Sequence, residues 1–225
     1  MQGPNSNTEF RECLRQIFGC PDEVAFSIAR RACDRRFPVR SAMVRQGDRT
    51  VETFLLVAGR AQALACGHEG QLVLLHEYQR GDVFGVAETD ERAIEDADVV
   101  ATEEVRAAVF HASDFVGLLE THGCLAALVS RALLRQLRAA SLRVTERSTL
   151  SASGRVYAEL LRLAHLGDGR TIRPAPVLAM LAVRIHSTRE TVSRAINALE
   201  RRGIIRRDGD ALIIEASHRL EELII

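Results

Sequence analysis

Residues 187–197, Ser-Thr-Arg-Glu-Thr-Val-Ser-Arg-Ala-Ile-Asn, constrain this chain more than any other stretch. Val192, Ile196 and Leu199 recur at i, i+4 and i+7, so they share one helical face. Arg189, Ser193 and Asn197 share another, with Glu190 and Arg194 beside it. A helix built this way docks its apolar side on a core and presents two guanidinium forks, a carboxylate and an amide outward. Ser187, Thr188 and Thr191 add hydroxyls at its start. These side chains can read base edges. Arg donates bidentately to guanine O6 and N7, Glu accepts from cytosine N4, and a good pair discriminates by about 1–3 kcal/mol. Ser187-x-x-Glu190 also fits a capping box, in which Glu reaches back to the backbone N–H of the cap. Glu190 can serve both roles.

The flanking residues complete a motif. Leu178, Leu181, Ala182 and Ile185 follow helical spacing, and small Ala182 lets two helices approach closely. Pro174 and Pro176 suit the approach to a helix and not its interior. His186 and Ser187 form the short turn of a helix-turn-helix. Gly203 suits the C-terminus of the second helix. Asp208-Gly209 between apolar runs signals a hairpin, which makes the unit a winged helix. Arg206 and Arg207 lie where they either touch phosphates or act as edge-strand charges, and Arg206 is assigned to the DNA contact.

Charge agrees with this placement. The chain is formally neutral, with 30 basic and 30 acidic residues, so it is no non-specific polycation. Residues 148–225 carry 12 Arg against 9 acids, a net of +3, while residues 1–147 carry 18 against 21, a net of −3. The positive half holds the helix-turn-helix, as phosphate attraction requires. Every basic residue is Arg. No apolar run is long enough to cross a membrane, and the polar start lacks a signal-peptide pattern, so a cytoplasmic protein is expected. The five cysteines, Cys13, Cys20, Cys33, Cys66 and Cys124, form no C-x-x-C pair and read as reduced thiols. No phosphate-cradling loop, zinc motif or nucleophile elbow points to an enzyme.

Residues 9–35 read as helical, with Phe10, Cys13, Leu14 and Ile17 on one face and a second helix opened by Pro21, Asp22 and Glu23. From Phe37 to Phe110 short apolar runs alternate with glycine: Val51–Val57, Ala61–Cys66, Gln71–Tyr78 and Val99–Phe110. Closely spaced short strands predict a β-sandwich or barrel. A long helix follows, starting fully after Gly123. Ala126, Val129, Leu133, Leu137, Ala140 and Val144 form a coiled-coil-like stripe along it, which predicts a homodimer seam; the plainer alternative is a helix packed only on its own domain. Arg147–Ser153 is small and polar, a candidate hinge.

The chain resembles the cyclic-AMP receptor protein and FNR family of bacterial transcription regulators. Thr188-Arg189-Glu190-Thr191-Val192-Ser193-Arg194 is similar to the recognition-helix hallmark of that family, and Arg80-Gly81-Asp82-Val83-Phe84-Gly85 to its Gly-Asp-x-Phe-Gly. The resemblance covers residues 9 to 225 and implies an α+β fold with three parts. These are an N-terminal cyclic-nucleotide-binding-like β-roll at 1–112, a connecting dimerisation helix at 113–147 and a winged helix-turn-helix DNA-binding domain at 148–225. It implies a palindromic site with TGTGA-like half-sites, with Arg189 and Arg194 on guanines and Glu190 on a cytosine, and RNA polymerase as a partner. His186 departs from the family, which often has Gly in the turn.

The ligand pocket departs further. The family pattern follows Phe-Gly with a Glu for the ribose 2′-hydroxyl and, later, Arg-Ser or Arg-Thr for the phosphate. Here Val86 follows Gly85, and Glu95-Asp96 stand at the phosphate position, with Glu88 as a substitute acceptor and Arg92 as the nearest cation. Two carboxylates repel a phosphodiester, so cyclic AMP and cyclic GMP are expected to bind weakly or not at all. The effector is then a different small molecule, a cyclic dinucleotide, haem or none. Haem has candidate ligands in His68, His76, His111, His122 and Cys66, with no spacing that singles one out. Cys13, Cys20 and Cys33 are too far apart for the iron–sulfur pattern of the family, and the acidic loop Glu88–Asp98 reads as solvated, with no metal site or other cofactor expected. A further alternative is a sensor or adaptor whose winged helix binds protein.

Overall fold

The computed structural model describes residues 4–67, 70–85 and 94–224. The chain divides into two compact units within its longest helix, 1–140 and 141–225, so the helix expected as a separate segment at 113–147 is shared between them.

In the first unit, α1 (Pro4–Phe18) and α2 (Asp22–Arg31) precede eight strands. These are β1 (Cys33–Phe37), β2 (Ala42–Val44), β3 (Glu52–Ala58), β4 (Ala61–Cys66), β5 (Leu72–Tyr78), β6 (Val83–Gly85), β7 (Asp98–Ala101) and β8 (Val105–His111). They form two four-stranded antiparallel sheets, ordered β1-β8-β3-β6 and β2-β7-β4-β5. Phe54, Leu56, Phe84, Val99 and Val109 fill the space between the sheets. Strand alternation sends Leu55, Ala108 and Phe110 to the other side, where they pack with Phe10, Leu14 and Ile28 of the helices and with α3 (Ala112–Thr121) through Phe115 and Leu118.

The helical reading of 9–35 holds as far as Arg31, but Cys33–Phe37 is a strand. Its sequence lacks an apolar alternation because its order comes from a charge. Arg106 on β8 is buried and donates to both carboxylate oxygens of Asp34 at 3.0 and 2.9 Å and to Glu9 at 2.8 Å. A bidentate guanidinium–carboxylate pair fixes orientation as well as distance. The run Val99–Phe110 is interrupted: Thr102 donates through both its N–H and hydroxyl to Arg60 O, and the chain passes from one sheet to the other. Gly85 adopts φ +89°, and a Cβ there would lie 2.5 Å from Glu52 O, so only glycine closes β6 onto β3.

α4 (Gly123–Thr149) starts at Gly123 as expected and buries Leu125 and Ala132. Its opposite face is apolar and open: Leu133 is 53 % exposed, Leu137 63 % and Val144 66 %. The expected hinge is short, since α4 continues to Thr149 and α5 (Ala152–His165) begins with Ser151 capping Gly154 N at 3.0 Å.

In the second unit, α5, β9 (Thr171–Ile172), α6 (Leu178–Arg184), α7 (Arg189–Arg201), β10 (Ile205–Asp208), β11 (Ala211–Ile214) and α8 (Ser217–Glu221) share one core. The apolar face read from the sequence is buried there, with Val192, Ile196 and Leu199 fully enclosed. β10 and β11 pair from Ile205↔Ile214 to Asp208↔Ala211, leaving Gly209 and Asp210 as a two-residue turn. β9 adds a third strand beside β11. The result is a winged helix-turn-helix.

Candidate functional site

α7 presents its polar face to solvent. Thr188, Arg189, Glu190, Arg194 and Asn197 are exposed, and Ser187, Thr191 and Ser193 are partly so. The helix starts one residue later than the capping box implied. Thr188, not Ser187, is the cap, and its hydroxyl accepts from Thr191 N at 3.2 Å. Glu190 therefore sits at the second helical position, one short of the reciprocal place. Its own backbone N–H, then the Thr188 hydroxyl, hold its carboxyl below the usual range. An anion at a helix N-terminus is favoured by the exposed N–H groups. The hydroxyls continue outward: Thr191 Oγ1 lies 3.1 Å from Thr188 Oγ1 and accepts from Arg194 Nη2 at 3.3 Å. Arg194 is thus leaned toward the start of the helix, beside Arg189 and Glu190.

The C-terminus of α7 is closed by Gly203 at φ +63°, with Gly203 N→Glu200 O and Ile204 N→Leu199 O both at 3.0 Å. This paired pattern satisfies two of the orphan carbonyls and turns the chain into the wing.

The turn between α6 and α7 uses the same pattern with a different residue. Ser187 N→Ala182 O spans 2.9 Å and His186 N→Val183 O 3.4 Å, and His186 itself takes φ +51°. A histidine here carries a Cβ cost that glycine avoids. Arg155 holds the turn from behind, with Nε donating to Ile185 O at 3.0 Å and Nη1 to Leu150 O at 2.9 Å. Buried Glu159 accepts from Arg184 at 3.3 Å and from Arg162, which also donates to Glu146 at 2.5 Å. These contacts tie α6 to α5 and to the end of α4. Neither Arg155 nor Glu159 was legible as a positioning residue, because both act on partners far along the chain.

Burial, then the charges of Arg147, Arg155 and Arg143, hold the His186 imidazole below its ordinary value. The unfolded chain therefore takes up the proton first. The contribution of His186 to stability is complete above the ordinary value of 6.5 and is lost as pH falls through the lowered folded value. His186→Asn keeps a residue that tolerates this backbone and removes the titration. Thermal unfolding followed by circular dichroism should show a shallower loss of Tm between about pH 7 and about pH 5 in the variant. Equal slopes would remove His186 from the pH response.

On the wing, strand alternation separates two arginines. Arg206, the residue assigned to DNA, donates to Glu215 at 2.9 Å and Asp208 at 3.1 Å, so its charge is met within the hairpin. Arg207 lies on the other face, with Nη2 3.3 Å from Asn197 Oδ1 and Nε 3.3 Å from Glu200. Arg207 shares its face with buried Ile205, and that period of two is the signal that points it toward α7.

The first unit contains a cavity of about 490 Å³ lined by Tyr78, Phe84, Gly85, Glu95, Asp96 and Leu133, with His76 at its wall. Of the residues expected in the nucleotide pocket, Gly85, Glu95 and Asp96 come together here, while Val86 and Glu88 lie outside the described residues, as do Arg92 and His68. No arginine is among the described lining residues. Burial, then Asp96, raise the Glu95 carboxyl above its usual range. Burial also pushes the Tyr78 hydroxyl up to about 12, with Glu95 adding to it. The segment Gly81–Gly85 is braced by α4: Arg135 Nη2 donates to buried Asp82 at 2.8 Å and Gln136 Nε2 to Val83 O at 3.3 Å. The described haem candidates each have separate neighbours. His76 packs on Tyr78 at 4.7 Å, His111 lies 2.8 Å from Ser113 Oγ, His122 lies 3.4 Å from Ser27 Oγ, and Cys66 ends β4.

Two family models match the chain, a cyclic nucleotide-binding domain over residues 34–122 and a Crp-like helix-turn-helix domain over residues 154–223. The chain belongs to the cyclic-AMP receptor protein/FNR family. Among curated relatives, the cyclic AMP receptor protein of Thermus thermophilus is 27 % identical over 193 residues, covering 84 % of this chain and 87 % of that one. The fold is shared with a CooA variant from Carboxydothermus hydrogenoformans, with a TM-score of 0.77 at 15 % identity over 94 % of this chain and 95 % of that one. It is shared also with CLP of Xanthomonas campestris, described as a c-di-GMP responsive global regulator, with a TM-score of 0.75 at 15 % identity over 86 % and 99 %. Like other family members, the chain is a transcription regulator with a helix-turn-helix DNA-binding domain, and family members of this kind are generally not enzymes. Among the described residues no single helix is long and apolar enough to cross a membrane.

Proposed function

We propose that the protein is a homodimeric regulator that binds a TGTGA-like palindrome and does not respond to cyclic AMP. The observation that carries the reading is the exposed face of α7, on which Arg189, Glu190, Arg194 and Asn197 stand together at the end of a helix-turn-helix. Arg189 and Arg194 are the guanine readers and Glu190 the cytosine reader. Arg207 joins them from the wing, in preference to Arg206, because its guanidinium lies against α7. The open stripe of Leu133, Leu137 and Val144 on α4, with exposed Ala140 in line, supports the dimer seam, whereas Val129, expected in it, packs against the first unit's own core. A two-fold dimer sets two recognition helices about 34 Å apart, one DNA turn, which is why the site is palindromic. Independence of cyclic AMP rests on Glu95 and Asp96 at the cavity and on the lack of arginine among its described walls. RNA polymerase is the expected partner by family.

The test is fluorescence anisotropy of a labelled TGTGA-N6-TCACA duplex titrated with the protein at fixed salt, with and without cyclic AMP, since affinity depends on salt. Tight binding that cyclic AMP leaves unchanged is the expected result. Binding only in the presence of cyclic AMP would overturn the reading of Glu95 and Asp96.

A further inference from the structure

We propose that Cys20 and Cys124 form a dithiol that a hydroperoxide closes to a reversible disulfide, a modification site that ties the α1–α2 corner to the start of α4.

The two residues come from distant parts of the first unit and meet in its core. Cys20 lies between α1 and α2, where its N–H donates to Arg15 O at 3.4 Å and the next carbonyl, Pro21 O, accepts from Val24 N and Ala25 N at 3.1 Å. Cys124 is the second residue of α4, just past the corner at which α3 and α4 meet at 112°. That corner is seated on α2: His122 Nε2 lies 3.4 Å from Ser27 Oγ, and His122 O accepts from Leu125 N at 3.0 Å. Both cysteines pack in one apolar cluster with Phe18 and Leu125, and their thiols hydrogen-bond to each other. Two cysteines can be bridged only when their Cβ vectors converge, and a thiol–thiol hydrogen bond requires the same convergence.

The pair is asymmetric. Cys20 is buried, at 5 % exposure, and Cys124 is partly exposed. Burial, then the neighbouring Cys124, hold the Cys20 thiol above its ordinary range, so Cys20 keeps its proton and donates it toward the Cys124 sulfur. An oxidant arriving from solvent meets Cys124. Cys20 needs no access of its own, because its target is a sulfur already beside it.

The chemistry balances over two steps. The Cys124 thiolate attacks one peroxide oxygen, the O–O bond breaks, and the departing hydroxide takes a proton and leaves as water. Cys124 is now a sulfenic acid. The Cys20 sulfur then attacks the Cys124 sulfur, the S–O bond breaks, and hydroxide leaves with the Cys20 proton as a second water. Two thiols and one hydrogen peroxide give one disulfide and two waters; the sulfurs lose two electrons and the peroxide gains them. A dithiol reductant reverses the closure by exchange. The exposed cysteines have other neighbours: Cys66 Sγ lies 3.7 Å from Gly67 O, and Cys33 hydrogen-bonds to Arg35.

The full-length protein is reduced, freed of reductant, treated with a slight excess of hydrogen peroxide, alkylated and digested with trypsin without reduction. Cleavage at Arg15 separates Cys13 from Cys20, so mass spectrometry reads each pairing unambiguously. A peptide pair joining Cys20 to Cys124 is the expected product, and dithiothreitol should remove it. Crosslinks between chains should be about a hundredfold rarer at micromolar protein, since the two thiols of one chain are held together. In Cys20→Ala, dimedone should trap Cys124 as its sulfenic acid; in Cys124→Ala, Cys20 should stay reduced. The mapping uses the unaltered protein, so it stands even if a variant misfolds. Free Cys20 and Cys124 after treatment, or Cys124 joined to Cys13 or to a second chain in place of Cys20, overturns the proposal. Dimedone on Cys20 in Cys124→Ala overturns the assigned order of attack.

Discussion

Replacing Leu137 and Val144 together with aspartate is expected to turn a dimer into monomers and to weaken binding to a two-half-site duplex by about 10²–10⁴-fold, the gain that linking two binding modules supplies. Both side chains are more than 60 % exposed in the single chain, at 63 % and 66 %, so the substitution opens no cavity in either unit. An exposed apolar stripe at Leu133, Leu137 and Val144, on a helix of 27 residues, is costly in water and is relieved by a second helix. Two aspartates in such a seam would face each other across the two-fold axis without counter-charges, which the association cannot absorb. Light scattering reads the mass and anisotropy the affinity. A variant that remains dimeric would place the seam elsewhere. A monomeric variant that keeps full affinity would mean that one recognition helix suffices.

Arg194→Ala should cost about 1–3 kcal/mol on a TGTGA-like site and relax the preference at the base it reads. The residue is exposed, and among the described residues its side chain hydrogen-bonds to Thr191 Oγ1 at 3.3 Å, a neutral acceptor that a guanine edge can replace. Its neighbour Glu190 is held at the start of the helix by the local backbone and Thr188. The measurement is anisotropy on the consensus duplex and on duplexes with the guanine replaced. Equal loss on every duplex would make Arg194 a phosphate contact, because phosphates carry no sequence information.

Much of the second unit was legible because its signals are local. Val192, Ile196 and Leu199 were assigned to the core from periodicity alone, and they are fully enclosed. Gly203 and Asp208-Gly209 marked the end of α7 and the wing turn, and both lie at those places. The cap was misplaced by one residue, since Ser187 and Thr188 are equally good caps and the choice follows from His186 taking the left-handed conformation. In the first unit, Cys33–Phe37 was hidden inside a helical reading because its strand pairs through Arg106 and Asp34, which lie 72 positions apart.

The sequence by itself determined the elements whose physics is written in neighbouring residues: the two helices of the motif and the wing. A period of 3.6 or 2 requires only nearby positions, so it survives without the fold. Only the tertiary structure decided which groups those elements bring together. It turned Arg207 toward Asn197 and left Arg206 to Asp208 and Glu215. It gathered Glu95, Tyr78 and Phe84 around one cavity, and set Arg155 behind the turn of the DNA-binding motif. These meetings join residues tens of positions apart, and the energy that selects them, burial and the matching of charges, exists only once the sheets and helices have packed.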